Sequence, residues 1–218
     1  MSETDSRFGP TGNENGRGGG HQREVRNSRP KLPADKPVIA VFGASRAQPG
    51  DGLYEQGYRI GELLGRAGFN VMTGGYTGLM EAASRGAHSA GAYVIGITLK
   101  RFEEKANPFV TDEISTASFG ARFRWLIGRA DGYIAMPGGM GTLAEVSFAW
   151  QELAIGMIKP RPLVLVGPRW RTIVESWREN LTTESEKYAR ITLVESPEDA
   201  CQAMIAYFGR NRTAHHRG

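Results

Sequence analysis

Cysteine occurs once in the 218 residues, at Cys201. A single thiol closes no intrachain disulfide and forms no C-x-x-C pair. A packed thiol in a reducing, cytoplasmic setting is therefore the expectation. Histidine is also scarce. Of His21, His88, His215 and His216, three lie near the chain ends, so no resident metal is expected, and His88 reads as a helix-surface or capping residue. No apolar run approaches the roughly 18 residues of a membrane span. The first 30 residues have no apolar stretch of the signal-peptide kind, and no membrane partner is expected. The body of the chain also lacks an excess of either charge. The net +4 comes from the ends: residues 1–36 hold seven Lys/Arg against five Asp/Glu, and residues 210–218 hold three Arg and no acid. Residues 37–209 hold 17 basic and 18 acidic residues. A near-neutral body offers no support for a nucleic-acid partner.

What the chain does have is glycine, 29 residues of it, placed between apolar runs. Residues 1–36 are rich in Gly, Asn, Arg and Glu and cannot supply a core, so a disordered extension is expected there. A single domain is expected over 37–209, followed by a flexible basic tail over 210–218. Within the domain, Val38–Phe42, Phe69–Met72, Tyr93–Ile97, Tyr133–Met136, Pro162–Val166 and Ile191–Val194 read as short buried strands. Helical patterns separate them over 53–67, 79–90, 119–129, 142–155 and 170–179. Pro197 opens a last helix reaching about Phe208. Residues 98–117 read as an excursion near the site, with room for one short strand. Alternation of this kind predicts an α/β fold: a three-layer, Rossmann-like arrangement with a mostly parallel sheet flanked by helices.

Ligands of such sheets bind beyond the C-terminal strand edges. Three glycine turns leave those edges, at 43–52, 73–78 and 137–142, which points to one shared pocket. The last turn organises the rest. Strand 133–136 runs through Pro137-Gly138-Gly139-Met140-Gly141 into a helix carrying Leu143, Val146, Trp150 and Leu153. Glycines there let backbone approach a ligand, and the unpaired N–H groups of a helix start favour an anion, most often phosphate. Other nucleotide chemistries fit poorly. Gly43-Ala44-Ser45-Arg46 is not G-x-G-x-x-G, the second strand ends without an acid, and no Gly-Lys-Ser/Thr follows a glycine loop.

Pro137-Gly138-Gly139-Met140-Gly141-Thr142-Leu143-Ala144-Glu145 resembles the PGGxGTxxE signature of the LONELY GUY family of cytokinin-activating phosphoribohydrolases. Gly74-Gly75-Tyr76-Thr77-Gly78-Leu79-Met80 resembles that family's GGxxGLM motif, and the resemblance spans roughly residues 37–208. It implies hydrolysis of the N-glycosidic bond of a nucleoside 5′-monophosphate, classically an N6-substituted adenosine monophosphate, to free base and ribose 5-phosphate. It also implies a homodimer, no cofactor and no required metal. The family's catalytic arginine maps onto Arg122, whose usual Glu and Lys neighbours are replaced by Ala121 and Phe123. That replacement motivates the alternative of a non-catalytic nucleotide or molybdenum-cofactor carrier, or a sensor, of the same superfamily.

Residue roles follow from the resemblance together with the chemistry. Cleaving the glycosidic bond builds positive charge on the ribose, which a carboxylate can stabilise; Glu145 is the candidate. Its competing reading is structural, since Thr142-x-x-Glu145 also has the form of a capping box. Arg122 is the candidate partner for phosphate or for Glu145, with Arg124 as its local rival. Gly138, Gly139, Gly141 and Thr142 are assigned to the 5′-phosphate, with Gly43 and Ser45 on its other side. Gly74, Gly75, Gly78, Met80 and Glu81 are assigned to ribose and base. Tyr76 and Phe119 are candidates for stacking on the base or for plain wall. Asp131 is read as shaping the turn into its strand. Phe148 and Trp150 are read as surplus apolar surface on their helix, facing a second subunit.

Overall fold

The computed structural model describes residues 35–215 except Glu103, with side chains described as far as Arg210. The extension assigned to 1–36 lies outside the described residues but for its last two, and so does the end of the basic tail. Seven strands form one sheet in the order β4-β3-β2-β1-β5-β6-β7. They are β1 (Val38–Phe42), β2 (Asn70–Thr73), β3 (Val94–Leu99), β4 (Asp112–Thr116), β5 (Gly132–Ala135), β6 (Leu163–Val166) and β7 (Ile191–Val194). Every pairing is parallel. Parallel strands covered on both sides require apolar side chains on both faces. The fully buried runs VIAVF of β1 and LVLV of β6 meet that requirement.

The period-two alternation of these runs divides the core. Ala40 and Phe42 face α3 (Phe119–Gly128), α4 (Met140–Ala154) and α5 (Pro168–Asn180), packing with Leu126, Val146 and Val174. Ile39 and Val41 face α1 (Gly52–Arg66), α2 (Leu79–Ser89) and α6 (Pro197–His215), packing with Ile60, Leu79 and Met204. The result is three layers, helix on sheet on helix, as expected. Cys201 packs in the second of these cores, as a buried thiol. Asp131 accepts from Val38 N at 2.9 Å and gives its own N–H to Val38 O at 2.7 Å, fixing the entry of β5 beside β1.

Some boundaries and faces differ from the sequence reading. α6 runs on to His215 instead of ending near Phe208, and a 3-10 turn over Ser185–Arg190 precedes β7. The inner face of α3 is Arg122, Leu126 and Ile127, whereas Phe119 is 57% exposed. Trp150 does not look outward. It is buried, stacked on Trp177 at 5.5 Å, and its indole N–H donates to Lys187 O at 2.9 Å. Phe148 is the outward residue, stacked on Phe123 at 5.6 Å. No described helix is long and apolar enough to cross a membrane.

Candidate functional site

The three glycine turns meet through one residue. Ala44, just past β1, donates its N–H to Pro137 O at 3.2 Å and accepts from Leu79 N at 2.9 Å. The β1 loop is thereby laced to the turn after β5 on one side and to the start of α2 on the other. Above that junction lies a cavity of about 350 Å³, within the size range of small-ligand sites.

One end of the cavity is the α4 turn. α4 starts at Met140 with Gly139 as its N-cap and no side-chain cap. The first intrahelical bond runs from Leu143 N to Gly139 O at 3.0 Å, so the amides of Met140, Gly141 and Thr142 precede it and have no partner within the helix. Gly139, Gly141 and Thr142 line the cavity, as do Gly43 and Ser45. Partial positive charge with open backbone suits an anion. This early start removes the capping-box reading. Thr142 is already the third residue of α4 and is buried. Glu145 lies in the second turn, where no orphan N–H remains for it to cap.

Arg122 and Glu145 also line the cavity. Arg122 is only 8% exposed. Its Nε donates to Ile97 O at 2.8 Å and one terminal nitrogen donates to Gly74 O at 3.0 Å, while its cationic carbon sits 5.5 Å from the centre of the Tyr76 ring. These contacts tie α3 to the ends of β2 and β3. Arg124, the rival, is exposed. Burial pulls the Arg122 guanidinium below its ordinary value and Glu145 opposes that shift. Burial pushes the Glu145 carboxyl up to about 7, against the pull of Arg122. The two groups therefore act on each other electrostatically within the cavity wall. A carboxyl that titrates near neutrality in a pocket, facing a fixed cation, is a functional-site signature.

The remaining wall is Tyr76, Thr77, Met80, Phe102 and Glu104. Of the residues assigned from sequence, the structure brings Gly43, Ser45, Met80, Arg122, Gly139, Gly141, Thr142 and Glu145 together at the cavity. Gly74, Gly75, Gly78, Gly138 and Glu81 are not on its lining. A Cβ on Gly74 would stand 2.0 Å from the Arg122 terminal nitrogen, and one on Gly78 would stand 2.4 Å from Ser45 O. A Cβ on Gly138 would stand 2.1 Å from the Thr142 hydroxyl. These glycines shape the site from behind. Glu81 accepts from the Tyr54 hydroxyl at 3.1 Å, in a contact between α1 and α2. Tyr76 is wall: its hydroxyl accepts from Leu99 N at 2.7 Å. Thr77, Phe102, Glu104 and Met140 were absent from the assigned set. The only signal for Phe102 and Glu104 was the unpatterned stretch after the third strand, which gives proximity but not identity.

The profile of the SLOG cluster4 family matches residues 36–201. The chain belongs to the SLOG cluster4 family. Relatives of this SLOG chain include an uncharacterised protein of Archaeoglobus fulgidus, 35% identical over 60% of this chain and 85% of that one. The cytokinin riboside 5′-monophosphate phosphoribohydrolase of Mycobacterium tuberculosis is 26% identical over 76% of this chain and 92% of its own. Among solved structures, the molybdenum cofactor binding protein of Rippkaea orientalis superposes with a TM-score of 0.66. It is 25% identical and covers 81% of this chain and 99% of its own. Proteins similar to this chain thus include one named as an enzyme and one named as a cofactor-binding protein.

Proposed function

We propose that the cavity binds a phosphate monoester of the nucleotide or pterin-cofactor class and holds it intact, making this SLOG protein a carrier or sensor. The observation that carries the reading is the state of Arg122. Two of its three nitrogens are bound to the main-chain carbonyls of Ile97 and Gly74 and the residue is buried, which makes it a stationary cation in the wall between phosphate seat and ligand body. Its neighbour Phe123 is engaged with Phe148 of α4, a packing role in place of the charged neighbour of the LONELY GUY motif. The likeness to the Rippkaea orientalis protein over nearly all of that chain supports the same reading. The phosphate would sit on the amides of Gly139, Gly141 and Thr142, with Gly43 and Ser45 closing over it.

A second reading, hydrolysis of a nucleoside 5′-monophosphate to base and ribose 5-phosphate, is favoured by Glu145. Its carboxyl, pushed up to about 7, suits a group that exchanges a proton with water near neutral pH. The exposed Leu143 and Phe148 on α4 support a homodimer under either reading.

Incubation of the purified protein with AMP and N6-isopentenyl-AMP separates the two. On the carrier reading the nucleotide is retained and recovered whole, and Glu145→Gln binds it as well as the unaltered chain does. Accumulation of free base that stops in Glu145→Gln would replace the carrier with the phosphoribohydrolase.

A further inference from the structure

A guanidinium is a planar fork, so two of its bonds fix the direction of the rest. The Arg122 fork is held by Nε on Ile97 O at 2.8 Å and by one terminal nitrogen on Gly74 O at 3.0 Å. Its other terminal nitrogen has no partner among the described residues. Arg122 lines the cavity, so that nitrogen is the one left for a ligand. Of the two anchors, Ile97 lies inside β3, whereas Gly74 lies past the end of β2. The aim of the remaining nitrogen therefore depends on what holds the Gly74 turn.

Asn107 holds it. This residue is buried in the loop that joins β3 to β4. Its side-chain nitrogen donates to Gly75 O at 3.1 Å and Tyr76 O at 3.0 Å, and its backbone N–H also donates to Gly75 O, at 2.8 Å. Two successive carbonyls that converge on one point repel each other, and the two hydrogens of the amide offset that repulsion. Tyr76 is pinned again at its far end. Its hydroxyl accepts from Leu99 N at 2.7 Å, and its ring lies under the Arg122 cation at 5.5 Å. The Asn107 side-chain oxygen has a separate duty: it accepts from Phe109 N at 3.2 Å, two residues on, closing an Asx turn within the loop. That local turn needs only the oxygen. The nitrogen serves the glycine turn alone.

We propose that Asn107 is a positioning residue for the cavity. Its side-chain nitrogen holds the Gly75–Tyr76 stretch, that stretch sets where Gly74 O stands, and Gly74 O aims the Arg122 nitrogen that a ligand meets. Asn107 is not on the cavity lining, so it acts through Arg122. The inference rests on the reading of Arg122 as the stationary cation of the site and adds the residue that keeps it stationary.

Asn107→Ser and Asn107→Asp test it, because each keeps an oxygen for the Phe109 N–H and removes the amide nitrogen. In titration calorimetry of the full chain, both are expected to weaken ribose 5-phosphate by about fivefold or more, through one misaligned charge-assisted bond. In an Arg122→Lys background, which keeps the charge but has no fork, the same substitutions should change affinity by less than about twofold. Nitrogen-15 NMR reads the effect without a ligand. The buried Arg122 Nε–H should exchange with solvent at least about tenfold faster in Asn107→Ser than in the unaltered chain, while the backbone amides of β1 keep their protection. Unchanged affinity in both Asn107 variants overturns the proposal, as does a weakening that persists undiminished beside Arg122→Lys, or an Nε–H whose exchange is unchanged. If ribose 5-phosphate does not bind even the unaltered chain, the phosphate reading falls. The exchange rate then decides the role of Asn107 by itself: a faster rate upholds it and an unchanged rate overturns it.

Discussion

The turn after β2 and the turn after β5 contain the same kind of residue and use it in opposite ways. At 74–78 the glycines are buried and their missing side chains are replaced by protein. Gly74 makes room for Arg122 and the Met80 sulfur, while Gly75 and Gly78 adopt φ of 84° and 75°. At 139 and 141 the glycines are exposed and a Cβ on either would meet nothing within 4 Å. The first turn is a packing device that holds the wall in place. The second leaves backbone open to whatever binds. Glycine in a site-forming turn therefore does not by itself mean glycine against a ligand; the space around the absent Cβ distinguishes the two uses.

The sharpest way to break this contrast is Gly78→Ala. The added methyl would lie 2.4 Å from Ser45 O on a backbone with φ near 75°. Backbone, unlike a side-chain end, cannot swing aside, so a loss of about 3 kcal/mol or more is expected from strain and overpacking together. A urea midpoint within about 1 kcal/mol of the unaltered chain would refute the packing role. Next in size is Arg122→Ala. It orphans the carbonyls of Ile97 and Gly74, for an expected cost of about 2–4 kcal/mol. Because Gly74 is glycine to accommodate that guanidinium, Gly74→Ala should be milder when Arg122 is already gone. A double-mutant cycle should give a coupling of about 1 kcal/mol or more, and additive costs would break the link between the two residues.

The contrast also marks how far the sequence could be read. The sheet was legible because buried parallel strands must be unbroken apolar runs, as in Val38–Phe42 and Leu163–Val166. The shared pocket was legible because strand C-terminal edges converge. Arg122 could be found only by resemblance. The guanidinium is stabilised inside by two carbonyls of other elements that no local pattern on α3 reveals. The start of α4 was placed two residues late because Gly139 and Gly141 look like turn, and that displacement created a capping box that the fold does not contain. Glu81 looked ligand-facing from its place at the start of α2. Its actual partner, Tyr54, lies 27 residues away in sequence. Phe102 and Glu104 sit in a loop held by Asn107, and the bonds of Asn107 run to a turn more than 30 residues earlier.

Glu145 supplies a prediction in pH. Burial raises its carboxyl from 4.5 to about 7 in the folded chain. Between those values the unfolded chain gives up the proton while the folded chain keeps it, so the unfolded state binds fewer protons and stability falls as pH rises. The loss begins near the unfolded value, is complete just above 7, and amounts to at most about 3 kcal/mol. Glu145→Gln cannot ionise and should not show this fall. Its melting temperature should approach that of the unaltered chain near pH 4.5 and exceed it at pH 8. Parallel pH profiles for the two proteins would mean that burial does not hold the carboxyl up.

The smallest change in stability is expected at Gly139, where it is the most informative. Gly139→Ala places a methyl on exposed backbone at φ −99°, a conformation open to any residue, with no atom within 4 Å. Unfolding should shift by less than about 0.5 kcal/mol. Phosphate binding should suffer far more, because the methyl stands where an anion would approach the amides of the α4 start. A weakening of about tenfold for ribose 5-phosphate is expected, against almost no change in the urea midpoint. That pairing is the reverse of the one expected for Gly78→Ala, whose cost is in folding. If Gly139→Ala bound ribose 5-phosphate as tightly as the unaltered chain, the anion would have to sit elsewhere in the cavity. The two glycine turns would then differ only in how tightly they are packed, and the α4 turn would lose its claim to the phosphate.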